Sequence, residues 1–235
     1  EDWIAGFVIF ALTLSLTPGP NNTLFTTSGV NFGIARTVPH ILGVAVGFPA
    51  MLAAVALGLW SLLSAVPGLL EVLHYVSIAI LIYLAWKIAG GSAGKVGRPE
   101  RPMRFHEAAA FQWVNPKAWL ISASAMTTFS GVAADGSPDI TSRLPVMCAL
   151  FFAVVILSGF TWAGIGAGLS RWLQDGIRLR VANIVLALLL LSSLFLSWSP
   201  ARGGTAKRSM RSRGNDPDRP TRFFAISKRR WIRAA

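Results

Sequence analysis

The sequence predicts an all-α membrane protein with six transmembrane helices, arranged as two inverted three-helix repeats in which helices 1 and 4 are broken. The first observation is that six charge-free runs recur along the 235 residues, at 3–35, 37–70, 72–86, 118–134, 144–170 and 181–201. Most of these runs reach or approach the ~20 residues that a membrane span needs. The second is that prolines with polar neighbours interrupt two of the predicted spans, and the third is that basic residues alternate between connectors.

The composition also favours a membrane protein. Hydrophobic residues make up 53% of the chain and charged residues only 14%, whereas soluble proteins have roughly 25% charged residues. Of the 22 Lys and Arg residues, 11 lie in 199–235 with only two acidic residues, so this tail carries +9 of the net +12. We predict a transmembrane domain over 1–198, a basic, disordered tail over 199–235, and no nucleic-acid partner. Since the chain starts at Glu1 and not at Met, we expect further residues before it.

The first predicted span, 3–33, contains a break. Its middle reads Thr17-Pro18-Gly19-Pro20-Asn21-Asn22. Each proline lacks an amide donor and clashes with the preceding turn, and the glycine permits backbone angles that other residues avoid. Asn is a preferred helix N-cap. We therefore predict a half-helix that ends near Thr17 and a second that begins near Asn21.

The second and third predicted spans cover 39–65 and 70–89. Gly43 and Gly47 in the second span have the spacing that lets two helices approach closely, so we predict that they serve helix packing. His40 lies near the end of this span, and we expect it at the membrane interface. A connector without Lys or Arg leads to the third span.

The fourth predicted span, 108–130, contains the second break. Its sequence there is Gln112-Trp113-Val114-Asn115-Pro116-Lys117. Lys117 is the one charge in 108–134, and a charge at the bilayer centre costs of order 3 kcal/mol or more. Two interpretations stay open, because Lys117 either reaches the cytoplasmic interface or faces a central cavity and binds a carboxylate. Gln112 and Asn115 likewise either hydrogen-bond between helices or bind substrate.

The fifth and sixth predicted spans cover 144–169 and 181–198. The fifth span ends in Gly164-Ile165-Gly166-Ala167-Gly168, which predicts a second packing face with Gly164 and Gly168 as its helix-packing pair. Small-residue faces of this kind also permit a homodimer.

The connectors predict the orientation of the chain in the membrane. Connectors 1–2, 3–4 and 5–6 hold one, five and three Lys or Arg residues, and the other two hold none and one. The positive-inside rule therefore places the first group in the cytoplasm and the N-terminus outside. Six spans also place the C-terminus outside, which disagrees with the strongly basic tail.

Two broken helices at matching places in two halves are typical of a transporter's substrate site. Half-helix N-termini carry free N–H groups and a partial positive charge, which suit a carboxylate, while the C-terminal carbonyl groups suit an ammonium group. An amino acid carries both groups. The predicted substrate-binding residues are Pro18, Gly19, Pro20, Asn21, Asn22, Gln112, Asn115, Pro116 and Lys117.

Other kinds of chemistry find little support in the sequence. Cys148 is the single cysteine, so paired-thiol redox chemistry is excluded. The three histidines have no ligand spacing with each other or with Cys148, so we expect no metal, no cofactor and no enzyme. No Asp or Glu lies deep in a predicted span. A non-transporting membrane scaffold and a metal-cation exporter remain as alternatives.

The two proline motifs resemble the signature of the lysine exporter (LysE/RhtB) family. The first motif is followed by Ser28-Gly29 and by the helix with Gly43 and Gly47, and the second reads on into Ala118. The sequence Leu84-Ala-Trp-Lys87-Ile at the end of span 3 and Asn183-Ile-Val-Leu-Ala-Leu-Leu near the start of span 6 resemble the homoserine/threonine and cysteine/O-acetylserine exporter-like branch. The resemblance covers about 2–198 and implies amino-acid efflux across the bacterial inner membrane, driven by the proton gradient. It has no counterpart for 199–235.

Overall fold

The computed structural model describes residues 2–59, 65–66, 68–90, 101–132, 138–173 and 176–197. The α-helices within these ranges are α1 Asp2–Leu16, α2 Pro20–Ala54, α3 Leu69–Gly90, α4 Phe105–Phe111, α5 Pro116–Phe129, α6 Ile140–Ser170 and α7 Gly176–Ser197. A π-helical turn, Val55–Leu59, extends α2, and a 3-10 turn, Gln112–Val114, follows α4. The helical fold class is confirmed, although two two-residue strands, β1 Gly131–Val132 and β2 Pro138–Asp139, pair antiparallel between α5 and α6. The predicted tail, 199–235, lies outside the described residues.

Four helical segments of the described chain are long and apolar enough to cross a membrane. They are Pro20–Leu59, Glu71–Gly90, Ser142–Ser170 and Gly176–Ser193. Large apolar side chains on these segments are exposed, among them Leu57, Trp86, Leu157 and Leu188. Soluble monomers rarely expose extended apolar surfaces, so these faces are suited to contact with lipid.

Helix α2 reverses direction at Gly33, where a φ of 77° interrupts the helical geometry. Glycine adopts this left-handed region without the steric cost that a Cβ brings. The Phe25 and His40 rings, on either side of the reversal, are 4.7 Å apart, and the Ser28 and Thr37 hydroxyl oxygens are 2.9 Å apart. In a straight helix, 15 residues would span about 22 Å. The two arms of α2 therefore run antiparallel, with the turn at the boundary predicted between the first two spans.

Glycines allow α2 and α6 to touch through their backbones. A Cβ added to Gly29 would overlap the carbonyl group of Ala163, and one added to Gly166 would overlap the α2 backbone. At Gly164 and Gly168, by contrast, nothing in the described part of the chain lies within 4 Å of an added Cβ. Of the three glycines near the end of α6, Gly166 therefore makes the close contact, and the pair Gly164 and Gly168 does not.

The second arm of α2 uses its glycines in the same way against α4. A Cβ on Gly43 would overlap the carbonyl group of Phe105, and one on Gly47 would lie 2.6 Å from the Cα of Ala109. This contact fixes the short helix α4, and therefore the second break, against α2.

A cluster of phenylalanine rings, Phe7, Phe48, Phe129 and Phe151, joins four helices. The Phe7 ring of α1 meets Phe129 at 5.1 Å and Phe151 at 5.0 Å, both edge to face. Phe48 of α2 meets Phe151 at 4.8 Å. Aromatic pairs of this geometry contribute about 0.5–1.5 kcal/mol beyond their buried area, so the cluster holds α1, α2, α5 and α6 together.

Several helix boundaries differ from those predicted from the charge-free runs. Helix α6 begins at Ile140, ahead of the predicted 144, and α7 begins at Gly176, ahead of 181. Arg178 and Arg180 consequently lie on α7 and not in a connector. The end of a charge-free run marks where the chain leaves the hydrocarbon region. It does not mark the end of the helix, because Arg has a high helix propensity.

Candidate functional site

The first break lies where the sequence predicts it, between the end of α1 at Leu16 and the start of α2 at Pro20. The Asn22 side chain donates two hydrogen bonds back across the break, to the Ser15 carbonyl at 2.7 Å and to the Thr17 carbonyl at 2.8 Å. Ser15 lies in the last turn of α1 and Thr17 just beyond it, where no helical N–H group is available. Asn22 therefore caps the end of α1, and the N-cap of α2, expected from the asparagines near its start, is Gly19.

The N-terminus of α2 has no side-chain cap. Gly19 is its N-cap residue, with extended backbone, and no side-chain hydrogen bond satisfies the first turn. Pro20 occupies the first helical position, where its missing N–H group costs nothing. The first turn of α2 therefore lacks a side-chain cap among the described residues, and it carries the partial positive charge of the helix end.

The second break is built differently. A 3-10 turn separates α4 from α5, and Asn115 is the N-cap of α5. Its Oδ1 atom accepts a hydrogen bond at 3.1 Å from the backbone N–H group of Lys117. Pro116 again stands at the first helical position. The N-terminus of α5 is therefore satisfied by its own chain.

The structure brings the two breaks into direct contact. The Asn21 and Gln112 amides form a reciprocal pair, with Asn21 Nδ2 at 2.9 Å from Gln112 Oε1 and Gln112 Nε2 at 3.2 Å from Asn21 Oδ1. Lys117 Nζ donates to the Thr17 carbonyl at 2.7 Å and lies 3.4 Å from the Pro18 carbonyl. The Lys117 side chain therefore extends from the second break to the first, and its role in binding a carboxylate stays a prediction.

Helix α6 also reaches the first break. The Ser158 hydroxyl donates to the Ser15 carbonyl at 2.7 Å and lies 3.5 Å from Asn22 Oδ1. Sequence reasoning missed this residue, because a single serine in an apolar run gives no signal that distinguishes a site from a tolerated polar group. Its burial and its contact with a helix end became apparent only in the structure.

A small cavity of about 40 Å³ lies between the breaks, and we call it the central cavity. Five of the predicted site residues line it: Gly19, Asn21, Asn22, Asn115 and Lys117. Its apolar lining includes Phe25, Phe48 and Val155. The volume accommodates one to a few water molecules, so a molecule the size of an amino acid enters only after the helices separate.

The other four predicted site residues do not line this cavity. Gln112 is fully buried and hydrogen-bonds to Asn21, while Pro20 and Pro116 begin the two helices. Pro18 lines a separate apolar cavity between α2, α6 and α7.

A larger cavity of about 610 Å³, which we call the vestibule, lies beside the reversal of α2. Its lining includes Phe32, His40 and Lys87 together with the ion pair of Arg101 and Glu107. Two hydrogen bonds join that pair, from Arg101 Nη2 to Glu107 Oε1 at 2.6 Å and from Arg101 Nη1 to Glu107 Oε2 at 2.8 Å.

His40, which the sequence places near the end of the second predicted span, is buried inside the protein. The residue is only 1% exposed, and neither ring nitrogen has a hydrogen-bond partner within the described residues. The reversal of α2 at Gly33 brings the His40 ring against Phe25. No pattern in the sequence indicates that these two residues are in contact.

The described residues contain no group of three His, Cys, Asp or Glu side chains close enough to hold a metal ion. Cys148 lies half-buried on α6, with its Sγ atom 3.7 Å from the carbonyl oxygen of Pro49.

Comparisons with known proteins agree with the resemblance in the motifs. A family model described as LysE type translocator matches residues 12–195. The cysteine/O-acetylserine efflux protein of Escherichia coli strain K12 is 29% identical over 188 residues, which cover 80% of this chain and 93% of that protein. Proteins of the same name from Escherichia coli O139:H28 and Shigella flexneri serotype 5b are also 29% identical, with the same coverage. No solved structure was found to match the chain.

Proposed function

Because the chain belongs to the LysE family of translocators, we propose that it exports small amino acids or close derivatives from the cytoplasm as a secondary transporter. It is a multi-pass protein of the bacterial inner membrane, and its family moves solutes and does not convert them. The relatives named for cysteine and O-acetylserine efflux support the substrate class.

The proposal includes six spans in two inverted repeats. The apolar segment Pro20–Leu59 has 40 residues, a length of about 60 Å as a straight helix, which is twice the hydrocarbon thickness of about 30 Å. Since α2 folds back at Gly33, its first arm joins α1 as one broken span and its second arm forms the next. Helices α4 and α5 form the other broken span, and α3, α6 and α7 supply the remaining three.

The central cavity provides complementary groups for both ends of an amino acid. The uncapped N-terminus of α2 and the Lys117 ammonium lie next to each other and suit a carboxylate. The carbonyl groups of Thr17 and Pro18 suit an ammonium group, although Lys117 occupies them in this conformation. A bound substrate would draw Lys117 towards its carboxylate and place its own ammonium group on the vacated carbonyls.

The observation that carries the proposal is the contact of Lys117 with the first break. It joins a cation, a free helix N-terminus and a helix C-terminus within one cavity, and it connects the two proposed repeats. Alternating access would then proceed by movement of the repeats about this point. A proton moving inward down 100 mV supplies about 2.3 kcal/mol for that cycle.

The test is efflux from proteoliposomes that contain the purified full chain and are preloaded with labelled cysteine, O-acetylserine, homoserine or threonine. We expect at least one of them to leave faster than from protein-free liposomes. Its efflux should be faster still when a proton gradient is directed into the liposomes, because inward proton movement then drives the outward movement of the amino acid. Loss at the protein-free rate for every amino acid tried would reject the function. Release of preloaded divalent cations in the same liposomes would indicate the metal-exporter alternative.

A further inference from the structure

The vestibule contains an unpartnered polar group. His40 contributes to its lining and is nine-tenths or more buried, yet neither ring nitrogen has a hydrogen-bond partner among the described residues. Buried polar groups in native proteins are nearly always paired, and exceptions call for an explanation such as a bound ligand. A neutral imidazole offers one donor and one acceptor, which fits a ligand that carries both kinds of group.

The rim of the vestibule carries a cation that is not part of an ion pair in the described structure. Lys87 lies at the end of α3, with its Nζ atom 6.0 Å from the centre of the Tyr83 ring. The ion pair of Arg101 and Glu107 is internally neutral, so Lys87 gives this rim its positive charge. An anionic group on a ligand is therefore attracted to the rim, while its remaining polar groups face His40.

His40 also lies at the boundary between the two cavities. Its ring packs against Phe25 at 4.7 Å, and Phe25 lines the central cavity on the other side. The His40 and Phe25 rings thus form the wall between the vestibule and the central cavity. Because His40 is almost fully covered, a ligand that bonds its nitrogens has to part these two rings, as passage to the central cavity also requires.

We infer that the vestibule is a second, cytoplasmic entry site for the zwitterionic substrate, with its carboxylate near Lys87 and His40 as the innermost polar partner. The inference rests on the proposed function, which supplies the substrate class. The positive-inside rule places the adjoining connector, which contains Arg101, in the cytoplasm. The volume of about 610 Å³ is ample for an amino acid, whereas the central cavity, at about 40 Å³, is closed to one.

The direct test observes His40 itself. The sequence has three histidines, so a full-length H74F/H106F double variant, purified without a histidine tag, leaves His40 as the one imidazole signal in a ¹³C-labelled sample. Addition of O-acetylserine should shift this signal in a saturable way, and the shift should persist when K117M is added, because Lys117 belongs to the other cavity. An unmoved signal at a concentration at which the same variant exports O-acetylserine would overturn the inference.

Transport kinetics provide the second readout. H40F should raise the KM for O-acetylserine from the cytoplasmic side by about tenfold, the value of one lost hydrogen bond to a charged group. H106F is the matched control, since His106 is exposed on α4 and outside the vestibule lining, and it should leave KM unchanged. Equal KM values for H40F and the wild type would count against the entry site. A saturable shift without export of any amino acid would reject the proposed function and retain the site.

Discussion

The two breaks look alike in sequence and differ in structure. Each has a proline at the first position of the following helix and asparagines beside it. At the second break, Asn115 caps its own helix, so the N-terminus of α5 is satisfied within the chain. At the first break, Asn22 turns back to the end of α1, and the N-terminus of α2 begins at Gly19 without a side-chain cap.

This difference assigns different chemistry to the two halves. The first break places a helix N-terminus without a side-chain cap beside backbone carbonyl groups, and Asn22 and Lys117 hydrogen-bond to those carbonyls in this structure. The second break contributes the Lys117 side chain, which extends from the first turn of α5, a helix whose N-terminus is capped by Asn115. In the proposed repeat architecture, two related motifs would supply opposite parts of one site, and a shared motif does not imply a shared role.

The largest effect is expected from removing the first break. In the P18A/P20A variant, the residues between α1 and α2 regain amide donors and helical propensity. The carbonyl groups that now meet Asn22 and Lys117 would be taken up by a continuous helix, and export should be abolished. The measurement is efflux from proteoliposomes at matched protein content, with P39A, a proline inside the second arm of α2, as the control.

Removing the cation from the second break should have the next largest effect. K117M deletes a charge-assisted hydrogen bond, which is worth about 1.5–3 kcal/mol, so export should fall by about tenfold to a hundredfold while the protein still inserts and purifies. K117R keeps the charge and should retain more activity than K117M. Unchanged export by K117M would contradict the proposed role and indicate that the lysine contact is structural alone.

A smaller change displaces Lys117 without removing it. A Cβ at Gly19 would lie 2.8 Å from Cδ and 3.0 Å from Nζ of Lys117, so G19A should push the flexible side chain away from the Thr17 carbonyl. We expect the KM of export to change by a few-fold, less than in K117M. G164A is the matched control, because an added Cβ there meets nothing within 4 Å in the described chain. Equal KM values for G19A and G164A would contradict a role for the contact between Lys117 and Thr17 in export.

The smallest effects separate the two asparagines. N115A removes an N-cap, which typically costs about 0.5–2 kcal/mol, and should lower the Tm in detergent with little change in KM. N22A removes two hydrogen bonds to the end of α1 and opens the wall of the central cavity, so it should alter KM as well as Tm. If N115A changed KM more than N22A did, the assignment of the ligand groups to the first break would be reversed.

Much of the site could be predicted, because prolines and a lone lysine in apolar runs are local signals. The positions of both breaks follow from steric costs that proline carries wherever it lies, whereas the sequence left open whether Lys117 reaches the cytoplasmic interface or faces a cavity. The role of Asn22 could not be predicted in this way, since cap preferences are local and its partners lie on the preceding helix.

Features that depend on how helices face each other were also beyond the sequence. Small-residue spacing indicated a packing face near the end of α6, but the contact is made by Gly166 and not by Gly164 or Gly168. The burial of His40 depends on the fold-back of α2 at Gly33, because only the reversal brings its ring against Phe25.

The bond between Lys117 and Thr17 joins residues 100 positions apart, and this distance has a consequence for biogenesis. At a synthesis rate of about 5–20 residues per second, α1 is complete some 5–20 s before the ribosome has made its lysine partner. During that interval Asn22, only five residues beyond Thr17, is the nearest group able to pair with the stranded carbonyl. The Asn22 amide can therefore hydrogen-bond to the Thr17 carbonyl before Lys117 has been synthesised.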